Sequence, residues 1–181
     1  MPLFWYKLGR LLQRVVRNAM HAHGEKEHMG QVSLTPSECS YAALRRATRG
    51  IGQLYDQALD ACGLNAAQYS LLNSIRRAGE PTQSDLARDM VMDLSALGHT
   101  LKPLVREGFV VVFTDAADRR KRRLRVTEIG TLKLSEASKL QSLAHIRFEK
   151  IVGEARASEL RHLLDYLASS EFNRDFQSTP V

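Results

Sequence analysis

The sequence predicts a mainly α-helical fold carrying one small β-hairpin. Three observations lead there. Apolar residues recur at helical spacing through most of the stretch 36–169. Helix-start residues at Thr35, Asn65, Thr82 and Asp93 divide that stretch into separate helices. Phe109 to Thr114, rich in Val and Phe, is followed across a polar tip by the alternating run Arg123-Leu124-Arg125-Val126-Thr127, as expected of two paired strands. At 181 residues with 44% hydrophobic content, the chain has enough apolar material for a folded core, which excludes a disordered tail.

Composition also places the chain. It holds no run of about 18 apolar residues and no signal-peptide pattern, so neither stable membrane insertion nor secretion is expected. Its two cysteines, Cys39 and Cys62, are too few for a disulfide framework or a zinc site, which fits a reducing, cytoplasmic location. Placed near opposite ends of one helix, they lie about 35 Å apart, too far to pair within one chain. Lys and Arg outnumber Asp and Glu by 26 to 20, which favours a polyanionic partner.

Taken in order, residues 1–34 form an extension and linker. Phe4, Leu8, Leu11, Leu12, Val15 and Val16 share one helical stripe, and Lys7, Arg10, Arg14 and Arg17 another. Such a basic amphipathic helix suits a membrane surface, DNA or an accessory arm; start-codon choice is a further account, since Met20 and Met29 both stand just upstream of the compact part. Residues 20–34 are polar, and the linker histidines His21, His23 and His28 lack the fixed geometry a metal needs.

The compact part, 35–170, opens on a capping box at Thr35-Pro36-Ser37-Glu38. A long helix follows, with Ala43, Ala47, Ile51, Leu54, Ala58 and Leu59 on one face, until Gly63 stops it. Asn65 caps a second helix to about Arg77, burying Tyr69, Leu72 and Ile75, before Gly79-Glu80-Pro81 breaks it. Thr82 with Asp85 opens a helix of about two turns. Asp93 caps a fourth, with Leu94, Leu97, Leu101 and Leu104 inward, Ser95, Ala96, Gly98, His99 and Lys102 on the opposite face, and a bend expected at Pro103. After the hairpin, Ile129, Leu132, Leu140, Leu143, Ala144, Phe148 and Ile151 sustain a long helical stripe to about Val152; Gly153 interrupts it. Leu160, Leu163, Leu164 and Leu167 mark a last helix, and residues 171–181 read as a frayed polar tail.

A short helix, a tight turn, a second helix with a small-polar and basic face, and then a hairpin with an arginine-rich tip make up a winged helix-turn-helix. One helix fits the major groove of a duplex, and a thin charged loop reaches the minor groove or the phosphates. Small residues such as Ser95, Ala96 and Gly98 allow close approach, and His99 and Lys102 supply longer donors. Between Lys102 and Arg125 stand eight Lys or Arg against three Asp or Glu, so five of the chain's net +6 sit in one small element, as a DNA footprint requires.

At these residues the chain resembles the multiple-antibiotic-resistance regulator (MarR) family of winged-helix transcription regulators. Asp115-Ala-Ala-Asp118-Arg119-Arg120, leading into Val126-Thr127-Glu128-Ile129-Gly130, is similar to the family's D-x-x-D-R-R … L-T-x-x-G wing signature. Asp93-Leu-Ser95-Ala96-Leu97 resembles its entry into the recognition helix, and Gly63-Leu-Asn65-Ala-Ala-Gln68-Tyr69 its second-helix start. The resemblance spans about Cys39 to Ala168. It implies a homodimer joined through 36–61 and 128–169, with 65–127 as the winged helix-turn-helix bound to a pseudopalindromic double-stranded operator. It further implies that Arg120 enters the minor groove, oriented by a charge-assisted hydrogen bond that it donates to Asp118, with Arg119, Lys121, Arg122 and Arg123 completing the wing. Gly98 and His99 depart from the threonine and arginine frequent in the family, so base preference does not transfer.

The expected activity is sequence-specific, ligand-responsive repression. A small anionic or aromatic effector is implied by many relatives, and Tyr41, Arg45, Tyr55 and Tyr69 stand on helices able to border its cleft, as do Arg46 and Arg49. The arginines equally suit a solvated face and the tyrosines a core. Some relatives sense oxidants through a thiol near the start of the first helix, where Cys39 lies; the other reading of Cys39 is a small apolar filler. A winged helix serving as a protein-interaction module is the remaining alternative. No catalysis and no cofactor is expected: His99, His145 and His162 have no metal-ligand spacing, nucleophile elbow or phosphate loop beside them.

Overall fold

The computed structural model describes residues 39–180. The chain divides into two compact units, 1–43 and 44–181, and of the first only the start of a helix falls among the described residues. The amphipathic stripe of 1–19, Met20 and Met29, the linker histidines and the Thr35–Glu38 capping box lie outside them.

Helix α1, Ser40–Leu59, tightens into a 3-10 turn over Asp60–Cys62. Gly63 ends it with a left-handed φ of 70°. Helix α2, Ala66–Ala78, begins on a reciprocal box in which Asn65 Oδ1 accepts from Gln68 N at 2.8 Å and Gln68 Oε1 accepts from Asn65 N at 3.0 Å. Helix α3, Gln83–Asp89, is capped by Thr82, whose hydroxyl also donates to Asp85 Oδ2 at 2.7 Å. Helix α4, Leu94–Arg106, is capped by Asp93, which accepts from Ala96 N at 2.7 Å, and runs on past Pro103 to Arg106.

Strands β1, Val110–Thr114, and β2, Arg122–Val126, pair antiparallel with Val110 opposite Val126 and Thr114 opposite Arg122. A third backbone segment joins them: Thr82 bridges to Arg123, and Leu124 N donates to Pro81 O at 3.0 Å. Helices α5, Glu128–Val152, and α6, Glu154–Leu167, follow, separated at Gly153. The core is drawn from α1 through α5, with Leu59, Leu71, Leu72, Ile75, Leu86, Leu97, Leu104, Leu124 and Leu134 fully buried.

Two sequence expectations change. The frayed tail is instead a helix, α7, Ser170–Ser178, because Ser169 caps it by accepting from Phe172 N at 3.2 Å and Phe172 meets the edge of Tyr166 at 5.4 Å. Leu94, expected inward, is exposed, because the first turn of α4 projects past the core that Leu97 and Leu101 fill. The apolar stripe of α5 is divided: Ile129, Leu132, Leu143 and Ile151 are exposed, whereas Leu140 packs against the core beside the buried Leu134 and Ala137. At 25 residues α5 is about 37 Å long, more than one small core can cover.

The turn between α3 and α4 contains a backbone anomaly. Val91 has a φ of 52°, the only positive φ of a non-glycine among the described residues, and its side chain is exposed.

Candidate nucleic-acid interface

The recognition face is built by segregation within α4. Leu97, Leu101 and Leu104 turn into the core, which leaves Ser95, Ala96, Gly98, His99 and Lys102 exposed on the other side. A Cβ added at Gly98 would meet nothing within 4 Å. The fold therefore does not demand glycine there, although glycine weakens a helix interior by about 0.5–1 kcal/mol relative to alanine.

The wing tip is built by Asp115. Its carboxylate is buried, and Oδ1 accepts from Ala117 N and Asp118 N, both at 2.8 Å, which closes the chain into a side-chain-stabilised turn. Oδ2 accepts from Arg123 Nε. The Arg123 bond, then the two amides, hold the Asp115 carboxyl at about 2, below its ordinary 3.8. Arg122 Nη1 reaches Thr114 Oγ1 at 3.0 Å, and Lys121 N donates to Asp118 O at 2.9 Å, completing a rigid base.

That geometry revises two residue roles. Arg123, expected on DNA, is turned inward: besides Asp115, its Nη1 donates to Glu80 O at 2.6 Å. A half-buried guanidinium beside a buried carboxylate is drawn to that partner rather than to solvent. Asp118 does not hold the Arg120 guanidinium; its Oδ1 accepts from the Arg120 backbone N–H at 3.0 Å, because the turn brings the amide closer than the side chain's end. Among the described residues the guanidinium groups of Arg119 and Arg120 have no partner, and both residues are exposed. Asp115, Glu80 and Arg125 escaped the sequence reading as site residues. Asp115 had a local signal, an aspartate two and three residues before the amides it accepts from; Glu80 had none.

Tyr41 is exposed. Arg45 lies one turn further along α1, also exposed. Tyr55 is half-buried, and its hydroxyl is pushed above the ordinary value by burial first and Glu149 second, with Arg161 opposing. Tyr69 packs against the core, with its hydroxyl 3.4 Å from Ser138 Oγ. Cys39 is partly buried. Among the described residues there is no His, Cys, Asp and Glu cluster able to hold a metal, and no helix is long and apolar enough to cross a membrane.

The depressed Asp115 carboxyl makes the tip acid-labile. Its contribution to stability is complete above pH 3.8 and is lost as the pH falls through about 2. Thermal melts from pH 5 to pH 2 should therefore fall more steeply for the wild type than for Asp115→Asn, which is less stable at neutral pH. Parallel curves for the two proteins would remove Asp115 from the acid response.

A two-helix unit with an exposed face on its second helix, joined to a hairpin with free arginines at its tip, defines a winged helix-turn-helix transcriptional regulator. The MarR family model matches residues 64–121. A solved structure of the Mycobacterium tuberculosis transcriptional regulator MOSR in complex with DNA is 31% identical, covers 72% of this chain and 94% of that one, and superposes with a TM-score of 0.66. The chain belongs to the MarR family. Bacillus subtilis YdgJ, an uncharacterized HTH-type transcriptional regulator, is 28% identical over 127 residues, covering 69% of this chain and 75% of the relative. Rhodococcus jostii CouR bound to p-coumaroyl-CoA is 25% identical, covering 76% and 97% of the two chains with a TM-score of 0.64.

Proposed function

We propose that this regulator binds a specific double-stranded operator as a homodimer and represses transcription until a small ligand releases it. The observation that carries the DNA reading is the division of labour among the wing cations. Arg123 and Arg125 are tied to carboxylates of the same chain, whereas Arg119 and Arg120 at the tip, and His99 and Lys102 on α4, are left for an outside partner. Gly98 supports it, because a glycine that the fold does not need keeps the α4 surface low enough for base edges to approach.

Homodimerisation is supported by the apolar surface that α5 and α6 leave uncovered, including Leu132, Leu143, Ile146 and Leu163, which is more than scattered apolar exposure would give. Ligand response rests on the likeness to CouR, a relative bound to p-coumaroyl-CoA. Tyr55 and Tyr69 offer hydroxyls for a small anionic or aromatic effector.

Selection from a randomised duplex pool tests this reading. The protein should enrich a two-fold-related sequence and sediment at twice the 20.4 kDa chain mass. On that duplex, Arg122→Gln should weaken binding to all sequences alike and reduce the slope of log affinity against log salt by about 0.9 for each phosphate no longer neutralised. A protein that stays monomeric, or enriches nothing, contradicts the proposal.

A further inference from the structure

One arginine of the wing links the hairpin tip to a segment distant in sequence. Arg123 bonds the Asp115 carboxylate through Nε and the Glu80 carbonyl, 43 residues upstream, through Nη1 at 2.6 Å. The same Asp115 carboxylate shapes the tip through the amides of Ala117 and Asp118. Glu80 is gripped a second time, its Oε1 accepting from Arg125 Nε at 2.6 Å, and Arg125 lies 4.7 Å from the centre of the Phe113 ring. Two residues past Glu80, Thr82 caps α3, which leads through a short turn into α4. The tip and the recognition helix are thus fastened to one short segment, Glu80-Pro81-Thr82.

We infer that Arg123 is a positioning residue for operator reading: fastened between Asp115 and Glu80, it fixes the span between the tip arginines and the exposed face of α4 without itself touching nucleic acid. The inference rests on the regulator reading above. Only a planar fork of donors serves two acceptors set apart in this way, so lysine, with the same charge, does not replace it.

The test uses the full chain with Arg123→Gln and Arg123→Lys, a duplex selected by the wild type from a randomised pool, and a scrambled duplex of equal length. Backbone amides of Ala117 and Asp118 should exchange hydrogen faster in both variants, while α2 and α5 keep their protection. Preference for the selected duplex should fall about tenfold, the size of a coupling carried through a positioning residue, with the wild-type salt slope retained. Equal loss on both duplexes with a slope reduced by about 0.9 per subunit would make Arg123 a direct phosphate ligand and overturn the inference. Wild-type preference or unchanged exchange in the variants overturns it too. If the wild type enriches no sequence, the regulator reading itself fails, and the operator role of Arg123 fails with it, whatever the exchange shows.

Discussion

Gly130→Ala is expected to destabilise the folded protein by about 3 kcal/mol, at the upper end of overpacking costs. Gly130 is buried in the first turn of α5, where its N–H donates to Thr127 Oγ1 at 3.0 Å. A Cβ there would sit inside the van der Waals shell of the Phe109 carbonyl oxygen and 2.9 Å from both the Phe109 carbonyl carbon and Val126 Cγ1. The Phe109 carbonyl cannot swing away. Phe109 is held by its own N–H to Leu104 O at 2.9 Å and by Thr127 N to its carbonyl at 3.0 Å, while Val126 is paired in the hairpin. Relief must therefore move the end of α4, the base of the wing or the start of α5. Thermal and urea melts measure the effect, with Gly98→Ala as the control: it stands in a helix with open space around it and should gain about 0.5–1 kcal/mol. A Gly130→Ala protein within about 0.5 kcal/mol of wild type, the range of ordinary surface changes, would refute the packing argument.

Arg120→Ala should weaken operator binding by about 1–3 kcal/mol, the size of a lost specific arginine contact. The backbone of Arg120 is fixed by its N–H to Asp118, but its guanidinium has no partner among the described residues, so truncation leaves the fold intact. Fluorescence anisotropy at fixed salt should show the loss with the melting temperature unchanged. Full affinity in that titration would leave Arg120 without a role in binding.

The residues that organise the helices act over three or four positions, which is why their effect is legible in the sequence. Asn65, Thr82 and Asp93 each satisfy an orphan N–H three residues on, and a chain fragment carries all the information that bond needs. The hairpin is legible for the same reason, as is the exposed face of α4 through Leu97, Leu101 and Leu104. The inward turn of Arg123 is not. Its partner Glu80 is fixed only by tertiary folding, and a run of five consecutive basic residues looks equally available along its length. The apolar stripe of α5 is legible only in part. Periodicity shows that Ile129, Leu132 and Leu143 share a surface but not whether that surface meets the chain's own core. At the C-terminus, charged residues mask a helix whose stability comes from Ser169 and from the packing of Phe172 on Tyr166.

Val91 carries a consequence for how the reading head is aimed. A side chain branched at Cβ disfavours left-handed backbone by roughly 1–2 kcal/mol, so residue 91 does not choose that conformation. It is imposed by the burial of Leu86 and Ala87 on one side and Leu97 on the other, and by the bond from Met92 N to Ala87 O at 2.8 Å. The elbow angle is thus inherited from the interior. The corner itself is open to substitution without re-aiming the helix beyond it.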